Sequence, residues 1–186
     1  TNIYGPHDSY CLNDGHVIPA LTHRCYLAKK ENKPFRVLGS GTPLRQFIYS
    51  EDLANLFMWT LENYNEKESL ILSVGEKNEV SIKKVATEIA KSFDYEHMIE
   101  FDTSYSDGQF KKTADNSKLN NLMGDKYEFT GIKEGIKKTV KWFQENYEKC
   151  RNNLSYETTK LSAYLHYTPI SIREVYEKFK SNRIKH

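Results

Sequence analysis

The sequence of 186 residues predicts an α/β fold, and three observations carry that prediction. Apolar residues recur at helical spacing in four separate segments. Short runs rich in Val, Ile, Phe and Tyr stand between them. A composition of 38% hydrophobic and 13% aromatic residues is enough to build a core.

The order along the chain is helix, strand, strand, helix, strand, helix, strand, long polar loop, helix. Residues 1–15 are rich in Gly, Pro, Asn, Asp and His and read as a loop. A helix follows from Val17 to about Lys29. Pro19 suits its first turn, and Leu21, Cys25 and Ala28 share one face. Phe35 to Leu38 is a strand, Gly39-Ser40-Gly41-Thr42-Pro43 a turn, and Arg45 to Tyr49 a second strand. Ser50 is the expected cap of the next helix, with Glu51 and Asp52 at its positive end. Leu53, Leu56, Phe57, Thr60 and Leu61 form its apolar stripe.

Leu70 to Val74 reads as a buried strand. Ser81 caps a helix with Ile82, Val85, Ala86, Ile89 and Phe93 at helical spacing. Met98 to Phe101 is a short strand. Residues 102–124 are long, polar and irregular, as functional loops tend to be. Ile132, Ile136, Val140 and Phe143 mark a further helix. In the remainder, Ser171-Ile172-Arg173-Glu174 is a capping box that opens a short amphipathic helix.

The net charge of +2 hides a division. Residues 1–148 carry 19 Lys and Arg against 22 Asp and Glu, a net −3; residues 149–186 carry 8 against 3, a net +5. The body therefore lacks the basic surface of a nucleic-acid binder. No apolar run approaches the roughly 18 residues that span a bilayer, so a soluble protein without membrane partners is expected. The three cysteines, Cys11, Cys25 and Cys150, show no CxxC spacing. A reducing, cytoplasmic compartment and no metal site follow as expectations. The expected domains are a body of 1–149 and a compositionally distinct basic tail of 150–186.

No Gly-rich phosphate loop follows a strand, and HExxH and GxSxG strings do not occur in residues 1–186. Longer strings are more informative. Thr1-Asn2-Ile3-Tyr4-Gly5-Pro6 and Arg45-Gln46-Phe47-Ile48-Tyr49-Ser50-Glu51-Asp52-Leu53-Ala54 resemble signatures of extended short-chain dehydrogenases that act on nucleotide sugars. Gly5-Pro6-His7-Asp8, Asp14-Gly15-His16-Val17-Ile18-Pro19 and Ser106-Asp107-Gly108-Gln109-Phe110-Lys111-Lys112-Thr113 with Asn116-Ser117-Lys118-Leu119 narrow the resemblance to the GDP-L-fucose synthase family. It covers residues 1 to about 149 and the C-terminal half of the family's architecture.

That resemblance implies a substrate-binding lobe beside a Rossmann lobe holding NADP(H), with most of the Rossmann half outside this sequence. It implies 3,5-epimerisation and NADPH-dependent 4-reduction of GDP-4-keto-6-deoxy-D-mannose. It also implies a GDP-sugar partner and, for the complete enzyme, a homodimer. His16 matches the family's proton-transfer histidine near the nicotinamide; its plain alternative is a residue that merely caps a helix. Arg24 matches a basic substrate position, against an ordinary exposed helix arginine. Arg45 matches the arginine that holds the diphosphate, where a planar guanidinium suits bidentate contact. Asp107 matches a substrate contact, though Asp-Gly is also common turn chemistry. Thr1, Asn2, Ile3 and His16 correspond to the cofactor-facing side.

Leu38 departs from the family, which places tryptophan there; contact with substrate stays apolar but loses a flat face and an N–H donor. Lys111 and Lys112 either lie near the GDP or are solvated. Cys11 and Cys25 do not correspond to the family's catalytic cysteine. The glycine loop and Tyr-xxx-Lys pair have no counterpart in residues 1–186, so this chain alone is expected to be inactive. The competing expectations are a stand-alone GDP-sugar or partner-binding remnant, and a different nucleotide-sugar epimerase or dehydratase.

Overall fold

A computed structural model describes residues 2–124 and 127–150, the side chains of 147–150 excepted. Helix α1 (Val17–Glu31) starts with Pro19 in its first turn. It ends at Asn32, whose left-handed backbone (φ 52°) turns the N–H back onto the Ala28 and Lys29 carbonyls. Ile18, Leu21, Thr22 and Cys25 form its buried face, at the spacing helical periodicity demands. Burial pushes the Cys25 thiol up to about 12, so it is an inert core group.

Strand β1 (Asn2–Tyr4) lies where a loop was expected. It pairs in parallel with β4 (Phe47–Tyr49), Ile3 opposite Ile48. Its partner is more than forty residues away, so no local pattern reports the pairing. Strand β2 (Phe35–Leu38) follows the expected alternation, Phe35 and Val37 in and Arg36 and Leu38 out. It pairs in parallel with β6 (Ile99–Asp102).

The expected strand Arg45–Tyr49 is two strands in different sheets. Strand β3 (Leu44–Arg45) lies in a three-stranded sheet between β5 (Val80–Ser81), antiparallel to it, and β7 (Lys111–Lys112), parallel to it. Gln46 separates β3 from β4. Its side chain is buried, donating to the Val74 and Ala114 carbonyls at 2.8 and 3.0 Å. It also accepts from the Ala114 N–H at 2.7 Å.

Helix α2 (Ser50–Asn63) begins at Ser50 itself; Tyr49 occupies the cap position and no side chain caps the end. Buried Asp52 ties this end down by accepting from the Thr130 N–H at 2.8 Å and the Thr130 hydroxyl at 3.0 Å. Leu53 and Leu56 face a core with Ile48, Val74 and Leu119, but Phe57 is exposed, so the apolar stripe is narrower than expected.

Residues 70–74 run without strand pairing. The Ser73 and Val74 carbonyls accept from the Asn116 and Gln46 side chains instead of a ladder. Helix α3 (Ile82–Ser92) is capped by Ser81, whose hydroxyl accepts from the Lys84 N–H. Val85, Ala86 and Ile89 pack it against α1 and the main core. The long polar stretch is not structureless: it holds β7 and helix α4 (Ser117–Met123). Helix α5 (Ile132–Cys150) buries Ile136, Val140 and Phe143 as its spacing requires. Thr1–Tyr147 form one compact unit. The expected tail helix lies outside the described residues.

Candidate functional site

A cleft of about 290 Å³ opens where α1, the C-terminal end of β2, the turn after it and the loop before β7 converge. That volume is at the lower end of small-molecule sites, roughly 300–1,000 Å³. Leu12, Val17, Leu21, Val37, Pro43 and Ile82 give it apolar walls. Its polar side chains are Asn13, Arg24, Arg45, Ser106 and Asp107. Four expected substrate residues, Arg24, Leu38, Arg45 and Asp107, thus come together from four separate segments.

Arg45 extends from β3. Its guanidinium donates to the Leu44 carbonyl at 2.7 Å, the Gln109 carbonyl at 2.7 Å and the Phe110 carbonyl at 3.3 Å. A guanidinium has five N–H groups, so donors remain after these contacts. Arg24 donates to the Leu12 carbonyl at 3.2 Å. Among the described residues neither arginine has a carboxylate within ion-pair distance. Two half-buried cations without an acidic partner in one cleft favour an anion there.

Asp107 is held across the cleft edge by Ser40. The Ser40 N–H donates to Asp107 Oδ1 and the Ser40 hydroxyl to Oδ2, both at 2.6 Å. These bonds, the hydroxyl first, hold the carboxyl below the usual carboxylate range. The turn that allows this needs glycine. Gly39 has φ 88°, and a Cβ there would sit 2.4 Å from Asp107 Oδ1.

His16 takes the cap position of α1, but its side chain makes no capping hydrogen bond; its carbonyl accepts from the Ala20 N–H at 2.9 Å. The exposed imidazole is flanked by Gly15 and Val17, which line the cleft, but is not itself in the wall. Asp8 lies within its electrostatic reach: burial raises the Asp8 carboxyl, and the Ser9 N–H and then His16 oppose the rise. Asn2 and Ile3 lie on β1, outside the cleft. The Asn2 amide donates to the Gln46 carbonyl at 3.0 Å, and Ile3 is exposed. Thr1 lies outside the described residues. Leu38 is 43% exposed at the cleft and adds an apolar surface to its lining.

A second, shallower depression of about 580 Å³ runs past Glu76, Lys111, Thr113 and Asp115. It is larger, but Lys111 already pairs there with Glu76 and with Glu79 (3.5 Å). Its lining is net acidic, Glu76 and Asp115 against Lys111, which makes it the weaker candidate for an anionic ligand, and Lys111 is bound to acids. Sequence reading missed Ser40, Gln46 and the apolar walls. The double glycine around Ser40 was the available signal for a backbone bent to meet another group.

Among the described residues, no group of three or more His, Cys, Asp or Glu could hold a metal ion. No helix there is long and apolar enough to cross a membrane. A dinucleotide cofactor needs a phosphate cradle and a ribose contact. Of the expected cofactor-side groups, the described residues supply an exposed histidine and one strand, whose Asn2 amide already has a partner. They build no such cradle by themselves.

Residues 1–75 match the model of the NAD dependent epimerase/dehydratase family, and the α/β fold with its parallel strand pairs is that of Rossmann-type epimerases and reductases. The chain's similarity is more specific than that. It is 55% identical over 151 residues to the GDP-L-fucose synthase of Dictyostelium discoideum, covering 81% of this chain and 47% of the relative. It is 46% identical over 157 residues to the probable GDP-L-fucose synthase of Drosophila melanogaster, covering 81% and 49%. Among solved structures, a GDP-L-fucose synthetase of Naegleria fowleri superposes with a TM-score of 0.77 at 45% identity, covering 80% of this chain and 45% of that one. The same protein is also known bound to NADP. The chain spans about half the length of the curated relatives it matches.

Proposed function

We propose that residues 1–186 carry the nucleotide-sugar half of a GDP-L-fucose synthase, an NADP-dependent epimerase and reductase. The cleft is the observation that carries this reading. It gathers two carboxylate-free arginines, an oriented carboxylate and apolar walls in one place. Strong similarity to enzymes of that name over most of the chain supports it.

Within this reading, Arg45 and Arg24 hold the diphosphate of GDP-4-keto-6-deoxy-D-mannose, and Asp107 accepts a hydrogen bond from the sugar. Leu38 gives apolar contact. Fixing the diphosphate leaves the sugar ring at the cleft mouth, on the side of Gly15 and Val17. There His16 moves a proton at the carbons next to the ketone during epimerisation. NADP(H) supplies hydride to C4 when bound. Asn2, Ile3 and His16 would border it.

Residues 1–186 alone are expected to bind GDP without turning over a keto-sugar. Calorimetric titration should give one GDP per chain, with affinity falling as salt rises. Absence of GDP binding by the folded chain would remove the proposal. In an enzyme carrying both halves, His16→Asn should stop solvent-proton exchange at C3 and C5 while GDP binding persists. Exchange at the wild-type rate would exclude His16. The complete enzyme is read as a cytoplasmic homodimer, which cell fractionation and sedimentation of the full-length protein would test.

A further inference from the structure

We infer that Ser40 is a positioning residue: it sets the Asp107 carboxylate as a fixed acceptor for a sugar hydroxyl in the cleft. The inference rests on reading that cleft as a GDP-sugar site.

Ser40 engages both oxygens of Asp107 from one residue, N–H to Oδ1 and hydroxyl to Oδ2. Two bonds to two oxygens fix the carboxylate plane, which one bond cannot do. Donor direction in the chain is also determined. An ionised carboxylate only accepts, so the single Ser40 proton points to Asp107. The Ser40 oxygen therefore accepts from the Thr42 N–H at 3.1 Å and from the Thr42 hydroxyl at 2.7 Å. The sequence Thr42 to Ser40 to Asp107 is polarised in one direction, and each bond strengthens the next.

The Gly41 N–H also acts on the carboxylate, but its two oxygens offer about four acceptor sites, so acceptor capacity remains beyond these backbone and Ser40 bonds. Asp107 lines the cleft with that capacity available. Its geometry would otherwise be loose, since the loop around it is exposed. The same loop has a second attachment, from Arg45 to the Gln109 and Phe110 carbonyls. Removing the Ser40 hydroxyl should therefore free the carboxylate while the loop stays attached and the arginines stay in place.

The test compares GDP with GDP-mannose, titrated into residues 1–186. Ser40→Ala should weaken GDP-mannose about tenfold and leave GDP within about twofold, the effect of one misplaced charge-assisted hydrogen bond. Ser40→Thr should restore GDP-mannose affinity. In an Asp107→Asn background, Ser40→Ala should add nothing. Equal loss for both ligands, or loss for neither, would overturn the inference. A ligand-free readout keeps the two readings separate. Nuclear magnetic resonance should show the Asp107 carboxyl titrating below the usual range, and moving up towards it in Ser40→Ala. An unmoved titration would overturn the role of Ser40. If the wild-type chain bound neither ligand, the cleft reading would fail and this titration would decide Ser40 alone.

Discussion

Arg45→Ala is expected to lower the GDP affinity of residues 1–186 by roughly thirtyfold or more, about 2 kcal/mol, the lower end for a truncated charge pair at a binding site. The figure lies at that lower end because the side chain is partly exposed. Stability should change little. Of the three carbonyls that lose a donor, Gln109 and Phe110 belong to exposed residues and Leu44 is only half-buried, so water replaces the guanidinium. The two effects are thus separable by thermal melting. Arg45→Lys restores the charge but not the planar fork, so it should recover only part of the affinity. Wild-type GDP affinity in Arg45→Ala would show that the anion is held elsewhere.

The largest expected stability effect is at the next residue. Gln46→Leu should destabilise the body by about 3 kcal/mol, because three backbone groups lose one buried partner at once. The Ala114 carbonyl loses its donor and the Ala114 N–H its acceptor, while the Val74 carbonyl keeps only the Ser73 hydroxyl at 3.1 Å. Two of these contacts are only half-buried, which keeps the figure below a sum of full desolvation costs. A drop in melting temperature of about 6–12 °C corresponds to that loss in a chain of this size. Gln46→Glu should be no milder: it keeps the acceptor for Ala114 but faces two carbonyls with a charge. A Gln46→Leu protein within about 0.5 kcal/mol of wild type would contradict this account of the joint.

Gln46 also shows where sequence reading reaches its limit. Helices α1, α3 and α5 were legible because their signals are local: apolar spacing, Pro19 in a first turn, Ser81 as a cap. Strand β1 was not, since its partner β4 is remote in sequence and composition favoured a loop. The run Leu70–Val74 has strand composition, yet its Ser73 and Val74 carbonyls are satisfied by Asn116 and Gln46 side chains. Only Ser73 and Val74 of that run are buried, and Ile71 is exposed, so its apolar composition reports neither pairing nor full burial. The single run Arg45–Tyr49 is divided between two strands because its second residue, the polar Gln46, turns inward.

The candidate site divides along the same line. Arg24, Leu38, Arg45 and Asp107 could be named from motif resemblance, and they do share one cleft. Their arrangement could not be read. Contact between Ser40 and Asp107 spans 67 positions and depends on a left-handed glycine turn. Asn2 and Ile3 came from the same resemblance but lie away from the cleft, on a strand set by long-range pairing.

The most direct test of the central claim is a diffraction structure of residues 1–186 soaked with GDP. The diphosphate is predicted to lie between Arg24 and Arg45, within hydrogen-bond distance of the Arg45 guanidinium. A diphosphate ordered elsewhere, for instance along the depression beside Lys111, would contradict the assignment of this cleft as the nucleotide-sugar site.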